Sequence, residues 1–108
     1  MKSVGKTGFL TGLPELLILR LLQDQEMYGY EIVQAIAQRS GGVVTPGEAV
    51  VYPLLRTLER DGDLKSRPEP ADGRTRVYYA LTSKGVRRLF DQTDQWTRVA
   101  KAIQQALR

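Results

Sequence analysis

Apolar side chains along this chain fall at helical spacing in four stretches and alternate in a fifth. From about Leu13 to Gln23 the segment LPELLILRLLQ is apolar almost all round, which predicts a helix at the centre of the core. Pro14 suits its first turn, where a missing N–H has no helical partner to lose. A second helix is predicted from about Tyr28 to Arg39. Ile32, Ala35, Ile36 and Arg39 share a face, Tyr28 lies a turn earlier, and Ser40-Gly41-Gly42 ends the run. Gly29 in its first turn costs stability against alanine, and close approach of another backbone would account for it.

The third helix has the clearest start. Thr45-Pro46-Gly47-Glu48 reads as a capping box, with Thr45 as N-cap, Pro46 at N1 and Glu48 at N3. Val51, Leu54, Leu55 and Leu58 form the buried stripe, and Asp61-Gly62 stops the helix. Glu48, Ala49, Tyr52, Arg56 and Arg60 are left on the other faces. Pro53 interrupts the pattern, so either the helix bends there or its regular part begins later.

Two strands follow. Leu64 to Arg67 reads as a short one. In the second, Thr75 to Leu81, Val77, Tyr79 and Leu81 point one way and Arg76, Tyr78 and Ala80 the other. The connection PEPADGR is rich in turn residues and reads as too long for a two-residue hairpin, which predicts a mobile tip. A last helix opens with Thr82 as N-cap. Val86, Thr93, Ala100 and Leu107 recur every seven residues, and Leu89, Trp96 and Ile103 do so three positions later, a heptad seam.

The pattern predicts a mainly α chain of the α+β class. Residues 1–10 read as a flexible N-terminus. Residues 11–81 read as a winged helix-turn-helix, with a three-helix core and a two-stranded β-wing. Residues 82–108 read as a long C-terminal dimerisation helix. Such a helix outreaches a three-helix core, so the seam of Leu89, Thr93, Trp96, Ala100, Ile103 and Leu107 is predicted to meet a second copy.

Charge sharpens this picture through its placement. The net charge is +4 and the pI about 9.6. Lys65, Arg67, Arg74, Arg76, Lys84, Arg87 and Arg88 crowd residues 64–88 against only Glu69 and Asp72, whereas residues 1–63 are net acidic. Clustered cations attract phosphate and release counterions on binding, although a solvated basic face reads the same way.

Candidate chemistry is sparse. The chain has no cysteine and no histidine, which excludes disulfides, thiolate metal sites and an imidazole base. No nucleophile, metal or phosphate-loop motif stands out, so no catalytic residue, metal or cofactor is expected. No apolar run nears the ~18 residues of a membrane span, and the opening MKSVGKTGFLTG lacks a signal peptide's apolar stretch, so no membrane partner and a cytoplasmic location are expected. Double-stranded DNA fits better. The third helix would present Thr45, Val50, Tyr52 and Arg56 to the major groove, with Val50 placed for a thymine methyl and Arg56 for guanine or phosphate. Lys65, Arg67, Arg74 and Arg76 of the wing would follow the backbone.

The motifs MYGYEIVQAI, VVYPLLRTLERDGDL and GRTRVYYALTSKG occur in an order and spacing that resemble the PadR family of transcriptional regulators, over about residues 12 to 90. The resemblance implies a homodimeric repressor that binds an inverted repeat and is released by phenolic acids, drugs or another signal. The single C-terminal helix is similar to that of the small subgroup, which dimerises through it. The tail QWTRVAKAIQQAL resembles members that bind planar aromatic drugs between these helices, and implies that Trp96 lines the cavity between the two chains. A tryptophan at such a heptad position also reads as plain interface core. The family often carries Thr or Ser where this chain has Val50, so a hydroxyl contact is not expected there. Two other readings stay open: a winged helix that binds a protein partner, and one that coats DNA without site preference.

Overall fold

Helix α1 (Leu13–Asp24) is the element around which the rest is built, as its apolar pattern predicts. The computed structural model describes residues 12–108, and the expectation for residues 1–10 lies outside them. Ile18 and Leu19 of α1 are fully buried against Ile32 and Ile36 of α2 (Gly29–Arg39) and Val51, Leu55 and Leu58 of α3 (Glu48–Arg60). Trimming one such leucine to alanine costs about 2–5 kcal/mol, because both transfer energy and packing are lost. Leu64, Leu89 and Met27 close the core from the sheet and the last helix.

The start of α3 differs from the expected capping box. Gly47, in extended conformation, is the N-cap, and no side chain caps the helix. Its carbonyl accepts from the N–H groups of both Val50 and Val51 at 3.0 Å, which fixes the first turn two residues later than the Thr45 signal suggested. Thr45 is an exposed residue of the approach, and Pro46 is not at N1. Pro53 lies inside α3, and the helix is continuous across it. So the regular helix begins before Pro53. The proline removes only the one N–H that would reach the carbonyl of Ala49.

The wing also departs from expectation. Its sheet has three antiparallel strands in the order β1 (Met27–Tyr28), β3 (Arg74–Leu81), β2 (Leu64–Ala71). The third strand, β1, is two residues long and pairs Met27 with Tyr79 and Tyr28 with Tyr78. The hairpin is regular to its tip: Ala71 pairs with Arg74, so Asp72 and Gly73 alone make the turn. Their φ values of 48° and 76° match a two-residue turn with both centres left-handed, which Asp-Gly sequences favour. Pro68 and Pro70 fit within β2 because β2 is an edge strand, where a missing ladder donor is tolerated. The register places Lys65, Arg67, Glu69, Arg74, Arg76 and Tyr78 on one face and Leu64, Tyr79 and Leu81 on the other, against the core.

Helix α4 (Ser83–Ala106) begins where predicted, with the Thr82 hydroxyl accepting from the Gly85 N–H at 3.1 Å. Its first turns pack on α1 and the wing, burying Leu89. Beyond that point it leaves the core. At 24 residues it is roughly 36 Å long, and it accounts for a molecule of 54 × 29 × 22 Å. Phe90, Val99, Ile103 and Leu107 are exposed along it. Leu89 therefore belongs to the chain's own core and is not available to the predicted seam.

Candidate nucleic-acid interface

The N-terminal half of α3, the start of α2 and strand β3 enclose a groove of about 700 Å³. Tyr28, Tyr30, Glu48, Tyr52, Arg74 and Arg76 line its polar side. Three of the residues expected at DNA meet there: Tyr52, Arg74 and Arg76. Thr45, Val50, Arg56, Lys65 and Arg67 lie outside it.

Tyr52 is half-buried and leans on the core rather than pointing outward. It can do so because Gly29 has no side chain: a β-carbon there would overlap the Tyr52 ring. The close approach that accounts for Gly29 is thus made by a side chain, not by a second backbone. Burial, and then the neighbouring Glu48 carboxylate, push the Tyr52 hydroxyl above its ordinary pKa, so it is a neutral donor at physiological pH. Val50 and Arg56 are exposed on α3, free to face a partner.

The four wing cations are not equivalent. Arg74 sits exposed directly after the Asp72-Gly73 turn, and Lys65 is exposed near the base of β2. Arg76 is half-buried, with its guanidinium 4.4 Å from the centre of the Tyr28 ring. Arg67 is held on both sides by acids. It pairs with Glu26 and Glu69 and lies 5.0 Å from the Tyr78 ring centre. The Tyr78 ring in turn meets Tyr28 edge-on at 5.4 Å. The Arg67 hydrogen bond holds the Glu26 carboxyl below its ordinary pKa. The clasp is therefore intact at neutral pH, and its contribution is lost only as pH falls through that lowered value. An arginine already neutralised by two carboxylates has little left for a phosphate.

Three features escaped the sequence pattern. A two-residue strand such as β1 is too short to show alternation. The Tyr28 N–H donates to Glu31 Oε1 at 3.1 Å, a cap on α2 that the spacing of Glu31 three residues on could have signalled. Asp63, 1% exposed, is a buried acid paired with Arg88 at 3.2 Å. Only the tertiary fold brings that pair together.

On α4, Trp96 is half-buried and lines a cavity of about 280 Å³ with Gly12, Gln92, Gln95 and Val99. Thr93, Ala100, Ile103 and Leu107 are exposed. Among the described residues no helix is long and apolar enough to cross a membrane.

A three-helix core, a β-wing and a groove between the third helix and that wing define a winged helix-turn-helix protein. Residues 18–91 match the PadR-like family of transcriptional regulators, and the chain belongs to that family, whose members regulate transcription by binding DNA rather than by catalysis. It is 40% identical over 68 residues to the transcriptional regulator Rv3488 of Mycobacterium tuberculosis, a match covering 63% of this chain and 61% of that one. It is 31% identical over 88 residues to the transcriptional regulator YqjI of Escherichia coli, covering 82% of this chain but only 41% of YqjI. The crystal structure of a PadR family transcription regulator from Clostridium difficile R20291 superposes with a TM-score of 0.74 at 29% identity, over 90% of this chain and 100% of that one.

Proposed function

We propose that this chain is a homodimeric repressor of the cytoplasm that binds an inverted repeat in double-stranded DNA. Residues 12–81 would read the DNA and residues 82–108 would hold the two copies together. The observation that carries the reading is the pairing of two surfaces. Val50 and Arg56 stand exposed on α3, Arg74 is exposed at the wing tip, and α4 runs past the core with Val99, Ile103 and Leu107 uncovered. In this arrangement α3 enters the major groove, with Val50 against a thymine methyl and Arg56 on guanine or phosphate. Tyr52, Arg74 and Arg76 follow one strand's phosphates, with Thr45 and Lys65 at the margins and Arg67 a structural cation of the wing. Thr93, Trp96, Ala100, Ile103 and Leu107 meet the second copy.

A small aromatic effector at Trp96 is part of the proposal. The cavity beside Trp96 is slightly smaller than a usual drug-sized site, and a second chain would add walls to it. Such a ligand releases the protein from DNA only if it binds the two dimer geometries with different affinity.

The test uses purified protein, fragmented DNA of the source organism and excess random competitor, at roughly physiological salt where non-specific binding is weak. Recovery of one enriched inverted repeat supports the reading. An even recovery of all fragments contradicts it and favours a protein that coats DNA without site preference, and recovery of none favours a winged helix that binds a protein partner. Run-off transcription from the recovered fragment then gives the sign of regulation.

A further inference from the structure

The base of α4 is joined to the rest of the chain at two successive places. At the first, the Thr82 hydroxyl donates to the carbonyls of Gly62 at 2.7 Å and Asp63 at 3.0 Å. One turn on, Gly85 lies so close to the Asp63 carbonyl that a β-carbon would overlap it. The Lys84 ammonium donates to the carbonyl of Asp61. All three contacts fall on the turn that ends α3.

At the second place, Arg88 spreads its guanidinium between two elements. Nη1 donates to Asp63 Oδ2 at 3.2 Å. Nε and Nη2 donate to Glu15 Oε2 at 3.2 and 3.1 Å. Gln92, one turn further along α4, donates to the same Glu15 oxygen. Asp63 is 1% exposed and the Glu15 side chain 17%. One cation on α4 thus binds an acid from the end of α3 and an acid from the start of α1.

Stability alone does not explain such a network. Buried ion pairs cost desolvation that their attraction barely offsets, and apolar replacements of similar volume are often as stable. Here Asp63 Oδ1 and Gln92 Oε1 also lack a partner, so satisfaction is incomplete. What a planar, forked guanidinium supplies is direction: it meets two carboxylates, one on α1 and one in the turn after α3, in few orientations.

We propose that Arg88 is a positioning residue that sets the direction in which α4 leaves the winged-helix unit, and so the separation of the two α3 helices in the dimer. This rests on the homodimer reading. The contacts at Thr82 and Gly85 act as the pivot, and the Arg88 fork fixes the angle about it. From Arg88 to Leu107 the helix runs roughly 28 Å, so a change of about 5° at the base moves the far end by roughly 2.5 Å. In a two-fold dimer both copies move, so the separation of the recognition helices changes by up to twice that amount.

Pulsed electron resonance distances test this without knowledge of the operator. The chain has no cysteine, so Arg60→Cys, exposed in the last turn of α3, takes one spin label per chain. The full-length labelled protein should give one narrow inter-label distance. Arg88→Gln, and separately Glu15→Gln, which leaves the Asp63–Arg88 pair in place, should shift or broaden it by at least roughly 3 Å. Arg88→Lys, which keeps the charge and loses the fork, should do the same. A distribution unchanged in the folded, dimeric variants overturns the positioning role and leaves the dimer standing. The absence of any inter-label distance in the parent protein overturns the homodimer reading, and this proposal with it.

Discussion

The ring of Tyr52 occupies the space where residue 29 would carry its β-carbon, and residue 29 is glycine. The contact ties the first half of α3 to the first turn of α2, on the side where the groove opens toward the wing. Gly29→Ala sets two effects against each other. Alanine favours a helix by about 1 kcal/mol over glycine, whereas forcing a methyl into a filled space costs about 1–3 kcal/mol. The ring is rigid and half-buried, so overpacking should win. Gly29→Ala should lower stability in urea melts and weaken DNA binding, and the loss should shrink in Gly29→Ala/Tyr52→Leu. A single variant as stable as the parent would show that the ring is free to move.

The wing arginines should separate by substitution. Arg74 is exposed at the tip, and Arg76 faces the groove, so Arg74→Ala or Arg76→Ala should weaken binding to all sequences and reduce the salt slope by up to ~1. Arg67→Ala should leave the slope almost unchanged, because Glu26 and Glu69 already hold that charge. Binding titrations across salt concentrations check this, and equal losses at all three positions would contradict it.

Ile103 is 41% exposed on the part of α4 that projects beyond the core. A buried aspartate at a two-fold seam would face its own copy, so Ile103→Asp should yield monomers by light scattering while the helical signal persists. Leu89→Asp should instead unfold the chain, since Leu89 lies in the core of each copy. An Ile103→Asp protein that remains dimeric would place the interface elsewhere.

Trp96 is the one tryptophan of the chain, so its fluorescence reports a single place. Planar aromatic compounds that enter the cavity beside it should quench that emission and lower DNA affinity together. Quenching without a change in DNA binding would make the cavity a bystander.

The helices were legible because their apolar spacing is strong. The expected bounds of α1 and α2 lie within a residue of those found, and Thr82 caps α4 as read. Thr45 misled because its capping signal is local, while the extended Gly47 decides where the first helical N–H groups find a carbonyl. The wing was underestimated because Pro68 and Pro70 read as loop until β2 is known to be an edge strand. Tyr52 and Arg67 were named as candidate contacts from type and position alone. That one leans on Gly29 and the other is clasped by Glu26 depends on residues distant in sequence, and only Glu69, two positions from Arg67, was within local reach. The same holds for Asp63, Arg88 and Glu15, each unremarkable in its own segment.

The proposed homodimer would hold its two α3 helices about one helical turn apart on DNA. Hydroxyl-radical and methylation-protection footprints on the recovered fragment, with the number of bound chains counted by mass, test it most directly. Two chains should protect two symmetric major-groove patches, ~34–36 Å between centres. One patch occupied by one chain, or uniform protection with no fixed edges, would contradict it.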